Sequence, residues 1–280
     1  MPGFAPLSER DLPRAASLSA LVGWNQTVAD WALFLRHGAV RVLEDGDAAA
    51  LAATAATLPY GREVAWISMV LVRPDRRRQG LATALMRWAV DSLREAGLPS
   101  IALDATPAGR EVYRRLGFRD LWGFSRWALP AALPAEPGIR LRPLREADWP
   151  AVLSLDLAAF GAPREALLRD FAARLPAAAL VAEGAGGIAG ALLGRDGMRG
   201  PQLGPLLAGD APTARALLAA GVSALGPGAV LDLRDGALGL AEWLAAHGAA
   251  TQRPFTRMAL GEDPPGDPAR ILAVAGPEFG

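Results

Sequence analysis

The chain has 280 residues, which is enough for two domains that each bury a core, and its 29 Lys+Arg residues balance its 29 Asp+Glu residues. This zero net charge gives no reason to expect a nucleic acid or an anionic membrane as a partner. The absence of cysteine and the presence of only two histidines exclude disulfides, a cysteine nucleophile and a histidine-rich metal centre.

The first half of the chain is predicted to alternate between helices and strands. In chain order, the predicted elements are helices over 8–21 and 27–36, strands over 39–44, 48–58 and 65–72, a helix over 81–97, a strand over 100–104, a helix over 106–117 and a strand over 122–129. The run AWISMVLV at 65–72 is apolar and rich in β-branched residues, which indicates a buried central strand. Thr106 followed by Pro107 predicts a helix start, and Gly97 and Gly117 predict helix ends. This order is typical of an α+β fold around a mixed sheet.

Two matching pairs of segments indicate that the second half of the chain repeats the first. PLSERDLP at 6–13 matches PLREADWP at 143–150, and FSRWAL at 124–129 matches FTRMAL at 255–260. The stretch PAALPAEPG at 130–138 has three prolines and no periodicity, which predicts a linker over 131–138. We therefore predict tandem domains of one fold over 1–130 and 139–280, each a mixed central sheet flanked by helices.

The charged loop between the strand at 65–72 and the helix at 81 predicts an anion site. Gly80 lets the backbone pass close to a ligand, and the free N–H groups of the first helical turn point towards one spot. Arg77 and Arg78 add charged donors that suit phosphate oxygens, so a pyrophosphate is the ligand that this arrangement favours. The alternative is a solvated basic turn before a surface helix.

Two motifs carry a resemblance to a known family. The Walker and dinucleotide motifs are absent, but Arg77-Arg78-Gln79-Gly80-Leu81-Ala82 resembles the [QR]-x-x-G-x-[GA] signature of the GNAT superfamily of N-acetyltransferases. Tyr113-Arg114-Arg115-Leu116-Gly117-Phe118 is similar to the family's Y-x-x-x-G-F. The resemblance covers about residues 5–130, and segments 22–26 and 103–109 resemble a bacterial subset whose second GNAT-type domain is degenerate. It implies acetyl-CoA as co-substrate and an amine as acceptor.

The resemblance also implies where acetyl-CoA binds. The pantetheine arm would lie between the strands at 69–72 and 101–104, and a backbone N–H near Met69 or Val70 would polarise the thioester carbonyl. Many members carry an asparagine after the fifth strand, where this sequence has Asp104-Ala105-Thr106. The implied cofactor-binding residues are Val70, Leu71, Val72, Arg77, Arg78, Gln79, Gly80, Leu81, Ala82 and Thr83.

The catalytic and acceptor-binding residues are predicted less completely. Tyr113 matches the family's general-acid position, where it would protonate the departing thiolate, and its alternative role is aromatic packing. The candidates for the general base are Glu63, Asp104, Glu111 and His37. No basic residue is needed if the proton leaves through water or if the amine arrives neutral. The candidate acceptor-binding residues are Trp24, Asn25, Gln26 and Asp104. Trp24 and Trp31 could instead be core residues at helical spacing.

The second copy has lost the features that carry the chemistry. Residues 202–218, which correspond to the cofactor loop and the helix after it, lack the arginine triplet, and Asp210 brings negative charge to the phosphate position. Further along, Leu244 stands in place of Tyr113. We therefore expect one acetyl-CoA per chain, bound in the first domain. The tail is expected to form one strand over 270–275 or to stay loose.

The expected function is N-acetylation of a small-molecule amine or a protein N-terminus. The alternative is a non-catalytic sensor that binds acyl-CoA. We expect no nucleic acid and no membrane partner, and a homodimer stays open. No apolar run reaches the ~18 residues of a membrane span, and the first residues do not resemble a signal peptide. These features predict a cytoplasmic protein.

Overall fold

Both halves of the chain contribute the same order of helices and strands. The structure is a computed structural model that describes residues 3–44 and 50–280. The first copy consists of β1 (Ala5–Pro6), α1 (Leu12–Leu21), α2 (Val28–His37), β2 (Ala39–Glu44), β3 (Leu51–Tyr60), β4 (Val64–Val72), α3 (Leu81–Glu95), β5 (Ser100–Ala105), α4 (Pro107–Arg114) and β6 (Arg119–Ala128). The second consists of β7 (Arg140–Pro143), α5 (Trp149–Phe160), α6 (Glu165–Arg174), β8 (Leu180–Gly184), β9 (Gly187–Arg195), β10 (Gln202–Ala208), α7 (Ala211–Leu225), β11 (Val230–Arg234), α8 (Leu240–Ala246), β12 (Ala250–Gly261) and β13 (Ile271–Ala273).

Local signals in the sequence explain several element boundaries. Thr27 caps α2 in a reciprocal capping box with Asp30, and Thr106 caps α4 before Pro107 in the first turn. The first predicted helix differs, because residues 9–11 form a 3-10 turn before α1 and the Ser8 hydroxyl bonds the Asp11 carboxylate. The predicted strand at 48–58 corresponds to β3, and its residues 48 and 49 lie outside the described residues.

The two copies share one sheet and exchange their last strands. The strand order is β1-β2-β3-β4-β5-β12-β6-β11-β13-β10-β9-β8-β7. Thus β12, the last strand of the repeat in the second copy, pairs with β5 of the first, and β6 of the first pairs with β11 of the second. The sequence patterns predict a sheet for each copy, whereas the structure has one shared sheet with exchanged strands.

The exchanged strands are related by an approximate two-fold axis. β6 and β12 run antiparallel with Phe124 opposite Phe255, and their rings stack with centroids 5.0 Å apart. The matching arginines of the repeat, Arg126 and Arg257, each reach across to an aspartate of the other copy. Arg126 binds Asp232 at 2.8 and 2.7 Å, and Arg257 binds Asp104 at 2.9 and 2.8 Å. Both pairs are buried, so they anchor the exchange from inside the protein.

The C-terminal tail fills a gap in the second copy. The parallel strands β10 and β11 pair only at their first residues, where Gln202 and Leu203 face Val230 and Leu231. Beyond that point β13 is inserted between them and bonds to both. Residues 271–280 are all buried, so the tail is an ordered part of the core rather than a loose end.

Within residues 3–44 and 50–280, no helix combines the length and the apolar composition that crossing a bilayer requires.

Candidate active site

A cavity of about 620 Å³ opens in the first copy at the place that corresponds to the filled gap of the second. β4 and β5 are parallel and pair only over Val64–Trp66 with Ser100–Ala102, after which they separate. The cavity occupies this separation and reaches the start of α3 and one side of α4. All predicted cofactor-binding residues except Gln79 line it, namely Val70, Leu71, Val72, Arg77, Arg78, Gly80, Leu81, Ala82 and Thr83.

A bulge in β4 shapes the backbone at the cavity. The register with β3 places Met69 and Val70 opposite Ala55 alone, and Met69 has the left-handed φ of 53°. A residue other than glycine in this conformation is strained, which is common where a backbone serves a function. The Thr54 hydroxyl donates to the Met69 carbonyl at 2.8 Å and holds the bulge in place. The strand edge beyond Trp66 has no β5 neighbour, so its backbone can pair with a ligand.

The N-terminus of α3 forms an anion site with open space in front of it. Gly80 is the N-cap residue with φ of 78°, and no side chain caps the helix. A Cβ added at Gly80 would meet no atom within 4 Å, so the space that it would enter is free. Arg77 is held by a 3.3 Å bond from Nε to the Val72 carbonyl, and Arg78 also lines the cavity. These features fit a pyrophosphate.

The second copy shows what replaces an anion at this position. α7 has the same 15-residue length as α3, but its N-cap residue is Asp210. The Asp210 carboxylate accepts a 2.8 Å hydrogen bond from the Thr213 backbone N–H. The helix therefore carries its own anion, as the sequence predicted for Asp210.

One buried hydroxyl at the cavity has no protein partner. Ser68 of β4 lines the cavity, is 8% exposed, and its Oγ makes no hydrogen bond within the described part of the chain. A buried hydroxyl without a partner is costly, and a polar ligand in the cavity would relieve that cost.

Tyr113 lines the same cavity from α4. Its half-buried ring packs 6.2 Å from Phe118, and a Cβ at Gly109 would come within 2.9 Å of it, so Gly109 makes room for the ring. Burial raises the pKa of Tyr113 to about 12. The hydroxyl therefore stays protonated at neutral pH and is available as a donor.

The predicted acceptor residues lie in different environments. Trp24 lines the cavity, whereas Trp31 is a core residue whose indole donates to the Ser19 hydroxyl at 3.1 Å. Asn25 instead binds the loop 198–200 of the second copy through its side chain and backbone. Gln26 is buried, and its Oε1 accepts no hydrogen bond among the described residues.

Of the four candidate bases, Asp104 alone lines the cavity. Glu63, Glu111 and His37 are exposed and lie outside its lining. Burial raises the pKa of Asp104 to about 6 although Arg257 opposes that shift. Because the twin pair Arg126–Asp232 occurs in the copy that lacks the cofactor loop, the Asp104–Arg257 pair is explained by the shared strand exchange.

Sequence reasoning missed Glu278, the second carboxylate at the cavity. The tail brings it there, and the tail is fixed by the Trp66 indole bound to the Pro277 carbonyl at 3.0 Å and the Tyr60 hydroxyl bound to the Phe279 carbonyl at 2.8 Å. Oε1 of Glu278 accepts from Arg195, and no donor within residues 3–44 and 50–280 bonds Oε2. The apolar run ILAVA before it was the one sequence signal that this segment is buried.

Comparisons with known proteins agree with this geometry. The model of the acetyltransferase (GNAT) family matches residues 11–118, and the model of an acetyltransferase (GNAT) domain matches residues 152–273. A holothin acyltransferase from Pseudoalteromonas sp. (strain SANK 73390) is 25% identical over 230 residues, which cover 81% of this chain and 77% of the relative.

Solved structures share the tandem fold. A protein from Pyrococcus horikoshii superposes with a TM-score of 0.80 at 17% identity, covering 99% of this chain and 95% of its own. A tandem GNAT protein from the clavulanic acid biosynthesis pathway gives a TM-score of 0.66 at 18% identity, covering 95% of this chain and 99% of its own.

The chain therefore belongs to the GNAT superfamily, with two GNAT domains in tandem. Both matching family models describe acetyltransferase domains, so the chain is an acyltransferase with acetyl-CoA as its co-substrate.

Proposed function

We propose that the first copy transfers the acetyl group of acetyl-CoA directly to the amine of a small molecule or of a protein N-terminus. One contrast between the copies carries the proposal. The separation of β4 and β5 is open and has Tyr113 at its edge, whereas β13 fills the equivalent separation in the second copy. The second copy is then a degenerate domain that supplies β12 and the tail.

The residues that would hold acetyl-CoA follow from the cavity. The N–H groups of the first turn of α3 would bind the pyrophosphate, with Arg77 and Arg78 as charged donors. The free edge of β4 over Val70–Val72 would pair with the pantetheine arm, and the bulge at Met69 would aim an N–H at the acyl oxygen. When bound, acetyl-CoA supplies an activated acyl thioester.

Tyr113 is our candidate general acid. The amine nitrogen attacks the acetyl carbonyl carbon, a C–N bond forms and the C–S bond breaks. The departing sulfur then needs a proton, and the Tyr113 hydroxyl, which burial keeps protonated, would donate it. The phenol regains its proton from solvent after the products leave.

Glu278 is our candidate for the proton that the amine loses, because its Oε2 has no donor among the described residues. Glu278→Gln keeps an acceptor for Arg195 but removes the base. We expect kcat to fall at least about tenfold at pH 7 and to recover partly as pH rises and more amine arrives neutral. An unchanged pH profile would assign Glu278 to structure alone.

The function itself is tested by thiol release. Acetyl-CoA is incubated with amino acids, polyamines, aminoglycosides and peptides with a free N-terminus. The name of the Pseudoalteromonas relative, an acyltransferase, supports the expectation that at least one amine gives amine-dependent thiol release and an N-acetylated product. Binding of acetyl-CoA without turnover on any amine would favour a non-catalytic sensor.

A further inference from the structure

A second cavity, of about 430 Å³, lies where the two copies meet, and three arginines line it. Arg126 comes from β6, Arg253 from β12 and Arg199 from the loop between β9 and β10. Glycines and polar or apolar residues form the rest of its lining, namely Gly23, Asn25, Gly200, Gly228, Val230 and Gln252. Among the described residues, no acidic side chain lines this arginine cavity.

Two of its three positive charges are not neutralised. Arg126 is paired with Asp232, but the guanidinium groups of Arg199 and Arg253 make no ion pair within the described ranges. Arg253 is half-buried and stacks over Phe255 at 5.1 Å, so it is held in place by packing rather than by a carboxylate. Burial, followed by the charge of Arg126, lowers the pKa of Arg253, with Arg199 adding a smaller effect. The cavity thus holds a net positive charge that an anion would balance.

The position of Arg199 is fixed by Asn25 of the other copy. The Asn25 amide donates to the Gly200 carbonyl at 3.0 Å, and its oxygen accepts from the Arg199 backbone N–H at 2.8 Å. The Met198 N–H also donates to the Asn25 carbonyl at 2.9 Å. A Cβ at Gly197 would come within 2.2 Å of the Asn25 amide, so this close contact requires glycine there. These bonds fix the backbone at Arg199, whose exposed side chain extends from it to the cavity.

The arginine cavity lies next to the cavity between β4 and β5, which is proposed to bind acetyl-CoA and is called the acetyl-CoA cavity below. Residues of one turn line the two cavities in alternation, with Val22 and Trp24 at the acetyl-CoA cavity and Gly23 and Asn25 at the arginine cavity. Arg253 of β12 lies three positions before Thr256, and Thr256 pairs with Ala105 at the C-terminal end of β5. At about 3.3 Å per residue, the Cα of Arg253 is therefore about 10 Å along the strand from the end of β5.

Resting on the proposed function, we propose that Arg199 and Arg253 bind a carboxylate or phosphate group of the acceptor while its amine reaches the thioester. The acceptor is then an amine that carries an anionic group several bonds away, rather than an α-amino acid or a polyamine. Asn25 is a positioning residue for this site, because it holds the loop of Arg199 without lining the acetyl-CoA cavity.

Direct binding of inorganic phosphate tests the site independently of turnover. Calorimetry compares wild type with the double variants Arg199→Ala/Arg253→Ala and Arg77→Ala/Arg78→Ala. We expect the Arg77/Arg78 variant to keep phosphate binding at the arginine cavity, and the Arg199/Arg253 variant to lose that component while keeping the one at α3. Arg62→Ala is the control, since Arg62 is exposed and lines neither cavity. Loss of all phosphate binding in the Arg77/Arg78 variant, or its full retention in the Arg199/Arg253 variant, would overturn the proposal.

Turnover tests whether the bound anion belongs to the acceptor. The substrates are unbranched ω-amino carboxylates of increasing chain length and their neutral methyl esters. We expect kcat/KM for the acid to exceed that for its ester at least about tenfold at one intermediate length. Arg199→Ala/Arg253→Ala should abolish this preference, and Arg62→Ala should not.

The outcomes separate this proposal from the proposed function. Equal rates for acids and esters, with phosphate still bound, would overturn the assignment of the anion to the acceptor. If no amine is turned over, the proposed function fails, and the calorimetric comparison alone decides whether the arginines form an anion site.

Discussion

At the scale of single residues, the duplication separates structural roles from chemical ones. Asp104 and Asp232 both bind a buried arginine of the exchanged strand, but Asp104 alone faces the acetyl-CoA cavity. The role that the two aspartates share, binding a buried arginine, is therefore explained by the exchange of β6 and β12 between the copies. Tyr113 and Glu278 have no such twin, because Leu244 replaces the tyrosine and the tail occurs once in the chain.

Asp104→Asn and Asp232→Asn form a matched pair of variants. Each leaves a buried arginine without its carboxylate, so each should lower the free energy of unfolding by about 3–5 kcal/mol. Chemical denaturation measures this loss. At a temperature where both variants are folded, we expect their turnover to agree within about threefold. A loss of about a hundredfold in the Asp104 variant alone would show that Asp104 takes part in the reaction.

Tyr113→Phe removes only the hydroxyl of the candidate acid. We expect kcat to fall at least about tenfold while acetyl-CoA affinity stays within about threefold, since the ring and its packing remain. Because burial raises the pKa of Tyr113 to about 12, wild-type kcat should show no alkaline limb from loss of this proton below about pH 11. A Phe variant with full turnover on a good acceptor would return Tyr113 to a packing role.

At the scale of elements, the N-termini of α3 and α7 occupy equivalent positions in the two copies but differ in whether a carboxylate caps the helix. In α3 the N-terminus is open, with Gly80 in the left-handed region and free space in front of it. In α7 the Asp210 carboxylate occupies the same end of the helix. A single carboxylate therefore distinguishes the open start of α3 from the closed start of α7, and we expect only the open one to bind phosphate.

Gly80→Asp should convert α3 to the closed form. Its carboxylate would compete with the pyrophosphate for the N–H groups, so acetyl-CoA affinity should fall at least about a hundredfold in a folded variant. The matched control is Asp210→Gly, which should cost only a few tenths of a kcal/mol and leave acetyl-CoA binding unchanged. Unchanged affinity in the Gly80 variant would mean that this helix does not bind phosphate.

At the scale of the whole molecule, the sequence predicts the local elements but not their exchange. The strand at 39–44, the capped helix after Thr27 and the loop at Gly80 depend on neighbouring residues, so their patterns are visible in the chain. FSRWAL and FTRMAL are nearly interchangeable, and the arginine of each pairs with a buried aspartate of the other copy. No local pattern states beside which copy's strands each of them lies in the shared sheet.

Part of the site could not be predicted for the same reason, because local sequence patterns do not specify long-range contacts. Glu278 and Arg199 reach their cavities through contacts between residues far apart in the sequence, from the tail and from the loop held by Asn25. The cofactor loop, Trp24 and Tyr113 are predicted from motifs, and they line the cavity. The groups that complete the site belong to the second copy, whose own motifs have been lost.

The central claim is that one working acetyl-CoA site exists per chain and that it lies in the first copy. Calorimetric titration of the full chain with acetyl-CoA tests it most directly, with Gly80→Asp and Asp210→Gly titrated in parallel. We predict one molecule per chain for wild type and for Asp210→Gly, and binding weakened at least about a hundredfold for Gly80→Asp. Two sites in wild type, or one full-affinity site remaining in Gly80→Asp, would contradict the account.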